Sequence, residues 1–306
     1  MDKLDAFQQR HRVTAFLFAV QKKYSDDSGG QLAGLVTYYG FLSLFPLLLA
    51  SFTIAAYLLA GDPHAIHTVE THLGHEPILG QAAQDLEGKQ LHGSPLALIA
   101  GVAGLVWGAM GLAQVAQQTM YEAWNVPRRD RRGFAPRLLR GLAWYSLFGF
   151  GVVASTFVTS LGSLLHWAGG PWLSALAALL LNVVIFVASF RILSPKGVTR
   201  RELLPGAVFA AVVWTALTGL GAGLTQKLAH SNALYGSFGS VLGFLALLYL
   251  AARLTIYAIE ANVVLAKRLW PRSLTNKDLS AADKEQLISL ARRQERVQNQ
   301  LVQVDF

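Results

Sequence analysis

Residues 233 to 267 read ALYGSFGSVLGFLALLYLAARLTIYAIEANVVLAK, a glycine- and serine-bearing lead that runs into a long apolar segment carrying one arginine and one glutamate. From Phe238 to Ala266 the segment exceeds the roughly 20 residues that cross a hydrocarbon core of about 30 Å, which puts Arg253 and Glu260 at bilayer depth. A charge at the centre of a span costs about 2.5 to 3.5 kcal/mol even on the insertion scale, so such residues face a bundle interior, a polar cavity or each other. At about 100° per residue, positions 253 and 260 lie within about 20° on one helix face, two turns apart. Tyr249 and Tyr257 flank Arg253 at i−4 and i+4, and Gly239 and Ala246 extend the same face. Two readings follow. The charges pair with each other or with neighbouring spans and hold a bundle together, or the stripe of Tyr249, Arg253, Tyr257, Glu260 and Asn262 lines a route for a polar group.

The composition extends that reading to the whole chain. Hydrophobic residues make up 53% and charged residues 14% of 306, against about 25% charged in soluble domains. An all-α polytopic membrane protein is expected. The chain has no cysteine, which excludes disulfide frameworks, thiolate metal sites and cysteine nucleophiles. The net charge of +8 has meaning here through its distribution over loops.

Hydrophobic segments divide the chain into a polar N-terminal segment over 1–32, a six-helix transmembrane domain over 33–267 and a polar tail over 268–306. In the first segment Val13, Phe16, Leu17, Val20 and Tyr24 fall at helical spacing behind Arg10, Arg12, Lys22 and Lys23, which predicts an amphipathic helix on a membrane surface. Its long polar lead and interrupted apolar part are not those of a secretory signal. The spans are expected at about 33–60, 95–116, 142–165, 172–193, 204–224 and 238–266. Pro46 falls inside the first of them and predicts a bend, a candidate hinge. Glycines and alanines at four-residue intervals, such as Ala100, Gly104 and Gly108, allow close helix approach.

Orientation follows from the basic residues. The N-terminal segment, the second loop, the fourth loop with Arg191, and the tail with Lys267 hold 5, 6, 4 and 8 Lys or Arg, out of 26 in all. The positive-inside rule makes those regions cytoplasmic and places both termini there. The second loop, within QTMYEAWNVPRRDRRGFAPRLLRG at 118–141, carries six arginines, for which anionic lipid headgroups are a simpler partner than nucleic acid. Expected partners are membrane lipids, including anionic headgroups at the cytoplasmic face, and a second copy of the chain. Nucleic acid is not expected.

The loop at 61–94 carries five of the eight histidines, and the pairs His64 with His67 and His72 with His75 share helical faces. They are weak candidates for a metal or for a response to external pH. A solvated loop accounts for them better, because no named metal signature matches. Walker-type phosphate loops, HExxH and GxSxG are absent from the sequence, so no cofactor and no enzyme activity are expected.

Several ordered motifs resemble the YihY/BrkB membrane protein family, once labelled ribonuclease BN. They are LAGLVTYYGFLSLFPLLL at 32–49, MYEAWNVPRR at 120–129, LLPGAVFAAVVW at 203–214, ALYGSFGS at 233–240 and AIEANVV at 258–264. The resemblance implies an inner-membrane protein of six helices, with roles in resistance to host serum or in moving lipid-linked envelope precursors. The leading expectation is therefore a transporter or exporter of a lipid, a lipid-linked precursor or another amphiphile. Arg253 would hold an anionic group and Glu260 would balance it. A structural or regulatory scaffold is the alternative, and a membrane-bound ribonuclease stands a distant third.

Overall fold

The structure, a computed structural model, describes residue 5 and residues 8–43, 95–164, 170–229, 236–274 and 279–306. All regular structure in these residues is helical: α1 is Arg12–Asp26, α2 covers 29–43, α3 is Pro95–Ala123, α4 Phe134–Leu164, α5 Gly170–Leu193, α6 Arg200–Ala229, α7 Gly236–Lys267 and α8 Ala281–Arg293. Pro46 and the histidines at 64, 67, 72 and 75 lie outside the described residues.

Three stretches among the described residues are long and apolar enough to cross a membrane: Trp172–Leu193, Arg200–Thr218 and Val241–Lys267. The helices that carry them start and stop where local chemistry dictates. α5 opens on Gly170 and Pro171, whose fixed φ suits a first turn. It ends with Arg191 in its last turn, where a cation meets the negative end of the helix dipole, and just ahead of Pro195, which cannot continue the ladder. α6 begins after Thr199, whose backbone N–H and hydroxyl both donate to Glu202 Oε2 at 2.6 and 2.9 Å. α3, α4, α6 and α7 run 29 to 32 residues, because the polar segments flanking the expected spans continue the helices.

The chain forms two compact units. The first comprises Met1–Gly34, Ala113–Thr215 and Ala252–Phe306. In it α4 lies along α5, where a Cβ on Gly151 would stand 2.6 Å from Ile185 Cδ1. α5 meets α6 through Phe186 against Trp214 and through Asn182 Nδ2, which donates to Thr215 Oγ1 at 3.1 Å. One face of α6 is small and fully buried at Ala207, Ala210 and Ala211, the close packing that lipid-embedded helices use where no hydrophobic effect drives them together. The opposite surface of α5 exposes Trp172, Leu173, Leu176, Leu180 and Val184. An apolar face of that extent fits contact with lipid.

The second unit comprises Leu35–Leu112 and Ala216–Ala251. Gly111 there leaves room for Tyr39, whose ring carbon Cδ1 would be 2.4 Å from a Cβ at that position.

The polar tail is docked onto α1. Ser280 and Asp283 form the expected capping box at the start of α8: Ser280 Oγ accepts from the Asp283 N–H at 3.1 Å and Asp283 Oδ2 from the Ser280 N–H at 3.2 Å. Asp283 also accepts from the Ser273 N–H, Arg272 Nε and Lys22 Nζ at 2.8, 2.8 and 3.0 Å. Burial alone would raise this carboxyl, but those donors outweigh it and hold it well below the usual carboxylate range. As pH falls the unfolded chain takes up the proton first. The stabilisation is thus intact above about pH 3.9 and drains away as pH drops toward the folded value. Limited proteolysis of the tail is expected to accelerate over that acid range, and Asp283→Ala is expected to cleave as fast at neutral pH as the native chain does in acid.

Candidate functional site

The candidate stripe on α7 divides into three environments, and what divides it is α1. Among the described residues, Glu260 is fully buried, and its Oε2 lies 3.1 Å from Lys23 Nζ on α1. The same ammonium contacts the Asp27 carboxylate, one helical turn on, and donates to the Ala123 carbonyl at the end of α3 at 2.8 Å. All three charged side chains are fully buried. Lys23, which helical periodicity assigns to the polar face of α1, is thus turned into the protein. Burial would push its ammonium down, but the Glu260 and Asp27 carboxylates prevail and hold it above its ordinary value.

The cluster extends outward through Arg293 of α8, which reaches Asp27 Oδ1 at 2.8 Å and Glu122 Oε2 at 3.1 Å, and through Arg131, 3.2 Å from Glu122 Oε1. Lys23, Arg131 and Arg293 therefore face Asp27, Glu122 and Glu260, with signs alternating along the contacts. Asn125 helps seat the tail. It adopts φ 51° at the end of α3, where the Val126 N–H closes back on the Tyr121 carbonyl at 2.9 Å, and its Nδ2 donates to Gln286 Oε1 and Ser289 Oγ at 3.1 and 2.8 Å.

Arg253 lies near the middle of the apolar stretch Val241–Lys267 and is exposed. Tyr24 of α1 stacks on Tyr257 with ring centroids 4.1 Å apart and planes 13° apart, and Tyr257 donates its hydroxyl hydrogen to Gln21 Oε1. The Arg253 guanidinium carbon is 5.9 Å from the Tyr24 centroid and 5.8 Å from that of Tyr257, within cation–π range of both. α1 thus buries this face of α7 at Glu260 and packs on Tyr257, while Arg253, touching Tyr24 at its edge, stays exposed. Tyr249 belongs to the part of α7 counted in the second unit, where it is partly exposed.

Asn262 holds helices together. Its Oδ1 accepts from the Gly206 N–H at 2.6 Å and its Nδ2 donates to the Leu203 carbonyl at 3.0 Å, both on α6 beside Pro205. This crossing is tight: a Cβ on Gly206 would be 2.1 Å from the Ala258 carbonyl oxygen.

Sequence reasoning placed Tyr24 and Lys23 in an amphipathic surface helix, not in the site, and passed over Asp27. The available signal was KKYSDD at 22–27, in which Lys22 with Asp26 and Lys23 with Asp27 are paired at i,i+4. Such pairs are ordinary on exposed helices, so only the position of α1 over α7 gives this one its meaning.

The virulence factor BrkB family profile matches residues 20–282. Bacillus subtilis YfkH, whose name describes it as ribonuclease-like, is 25% identical over 271 residues, 83% of this chain and 96% of the relative. The inner membrane protein YhjD of Escherichia coli is 25% identical over 275 residues, 81% of this chain and 80% of its own. A UPF0761 membrane protein of Azotobacter vinelandii is 30% identical over 183 residues, 56% of this chain and 44% of the relative. No solved structure matches.

Proposed function

The chain belongs to the virulence factor BrkB family as a multi-pass protein of the inner membrane, and from that premise we propose that it carries an amphiphile with an anionic head across that membrane. A lipid or lipid-linked envelope precursor is the substrate class. Six spans with both termini in the cytoplasm complete the reading, supported by the one-sided distribution of Lys and Arg.

The observation that carries the proposal is the exposed Arg253 at mid-span, set on the stacked pair Tyr24 and Tyr257. Aromatic rings hold a guanidinium in place without neutralising its charge, and a guanidinium's planar fork suits a phosphate or carboxylate. Glu260 does not share this work. Its charge is engaged with Lys23, which favours a structural role for Glu260 and a ligand role for Arg253.

The test is movement of headgroup-labelled anionic phospholipid in proteoliposomes. Arg253→Gln is expected to slow it about tenfold, the loss of one charge-assisted hydrogen-bonding group, with the same yield of folded protein. Native protein that moves no labelled lipid above empty liposomes would sink the proposal.

A scaffold reading has one observation in its favour, the exposed apolar residues Val297, Leu301 and Phe306 at the end of a docked tail. Deleting 297–306 separates the two readings, because it leaves Arg272, Asp283 and Arg293 in place. A partner that co-purifies with the native chain and is lost on deletion would favour the scaffold role; transport unchanged by the deletion would favour the route. The ribonuclease-like description belongs to YfkH, and we assign this chain no catalytic step.

A further inference from the structure

The six arginines of the second loop do not act as one patch. Arg129 pairs with Glu295 at 3.0 Å and Arg131 with Glu122 at 3.2 Å, whereas Arg132 and Arg140 turn toward the end of α5. There they meet Arg191 and Lys196 around a cavity of about 550 Å³ with Leu139, Ala143 and Ile192 in its wall. That volume falls among those of small-ligand sites.

The arginines are anchored by backbone carbonyls, not carboxylates. Arg140 Nη1 donates to the Ile192 carbonyl at 2.9 Å, Arg132 Nη1 to that of Ser194 at 3.2 Å, and Arg191 Nη1 to that of Val198. A guanidinium has five N–H donors, so each anchor leaves most of them for something else. No carboxylate lines the cavity, and among the described residues none of the four cations is in an ion pair. The crowding is felt: burial, with Arg132 and Arg191 close by, pulls Arg140 below its ordinary value against an opposing effect of Tyr121. A second observation points the same way. Ser194 lines the cavity at 1% exposure, and its hydroxyl has no hydrogen-bond partner among the described residues. A buried hydroxyl left so is a cost that a bound acceptor removes.

We propose that this cavity binds a phosphate or diphosphate group, with Arg132, Arg140, Arg191 and Lys196 neutralising it and the Ser194 hydroxyl donating to it. Leu139, Ala143 and Ile192 provide the apolar wall that the first carbons of an attached lipid would follow. Basic pockets between spans on the cytoplasmic side suit doubly charged lipid heads. This site stands on α4, α5 and the 194–197 turn, and does not rest on Arg253 or on transport.

The purified full-length protein in neutral detergent would be titrated with cardiolipin in mixed micelles, with phosphatidylcholine in mixed micelles, and with inorganic pyrophosphate alone. Cardiolipin is expected to bind and phosphatidylcholine not to. The double variant Arg132→Gln/Arg140→Gln is expected to weaken cardiolipin binding at least about tenfold. Lys196→Gln leaves every carbonyl anchor of α5 in place, so its expected weakening of about threefold keeps the proposal testable if the double variant misfolds. Arg128→Gln removes an equal charge from an exposed position outside the cavity and is expected to bind as the native chain does. Pyrophosphate that binds with the same dependence on these residues would identify a free phosphate compound as occupant; pyrophosphate that does not bind would identify the lipid head. Cardiolipin affinity unchanged in Lys196→Gln and the double variant, or lowered equally in Arg128→Gln, would overturn the site.

Discussion

Lys23→Met is expected to lower stability by about 3 to 5 kcal/mol, the cost of removing one partner from a buried ion pair and leaving the other charge behind. Methionine retains most of the volume of the stem, so packing changes little and the loss is electrostatic. It strands two carboxylates, Asp27 and Glu260, in a site where Lys23 contacts both and all three side chains are fully buried. Arg293 still reaches Asp27 at 2.8 Å, but among the described residues no other ion pair is left for Glu260. The paired change Lys23→Met/Glu260→Gln removes one charge of each sign and is expected to recover about half of the loss, since neutral pairs often replace buried ionic ones at little cost. The midpoint of thermal unfolding in detergent checks both, and a single variant that melts with the native chain would show that the cluster does not hold α1 to α7. The pH dependence has a definite sign. The folded ammonium titrates above the unfolded one, so this contribution is complete below about pH 10.4 and is lost as pH climbs through the folded value.

The second large effect belongs to the smallest side chain at a crossing. Gly206→Ala would set a methyl carbon 2.1 Å from a backbone oxygen of α7 and 2.6 Å from Asn262 Nδ2. The first is backbone and the second belongs to an amide held by two hydrogen bonds, so the helices must part. Separation strains the packing by about 1 to 3 kcal/mol and breaks the two hydrogen bonds of Asn262, leaving polar groups unsatisfied at about 1 to 3 kcal/mol each. Little folded protein is therefore expected, as read by the monodisperse peak in size-exclusion chromatography. Gly243→Ala on α7 is the contrast: among the described residues nothing lies within 4 Å of its Cβ, and a helix interior favours alanine by about 1 kcal/mol. That variant is expected to be as stable as the native chain or slightly more so. Equal behaviour of the two variants would mean that the α6–α7 contact is looser than described.

The residues of the candidate site were legible in unequal measure. Arg253 and Glu260 announce themselves, because an ionised side chain in an apolar run of that length demands a physical account. Their separate fates do not, since helical periodicity places both on one face. What separates them is a segment more than 200 positions earlier in the chain, which buries one against Lys23 and leaves the other exposed at the edge of Tyr24. Asn262 is similar. It reads as one more polar residue in the stripe, and its role at Gly206 emerges only when α6 is laid against α7.

By itself, the sequence determined that the protein is helical and membrane-embedded, where its apolar runs begin and end, which regions carry the positive charge, and the capping of α8. These are consequences of local periodicity, of proline, serine and aspartate chemistry, and of the cost of exposing polar backbone to lipid, all of which act over a few residues. Only the tertiary structure decided that Glu260 is neutralised by Lys23, that Arg253 rests on Tyr24 and Tyr257, and that Arg132 and Arg140 leave their loop neighbours to join Arg191 and Lys196. Charge and aromatic contacts act over a few ångströms regardless of separation along the chain, so their partners exist only once the helices have been brought side by side.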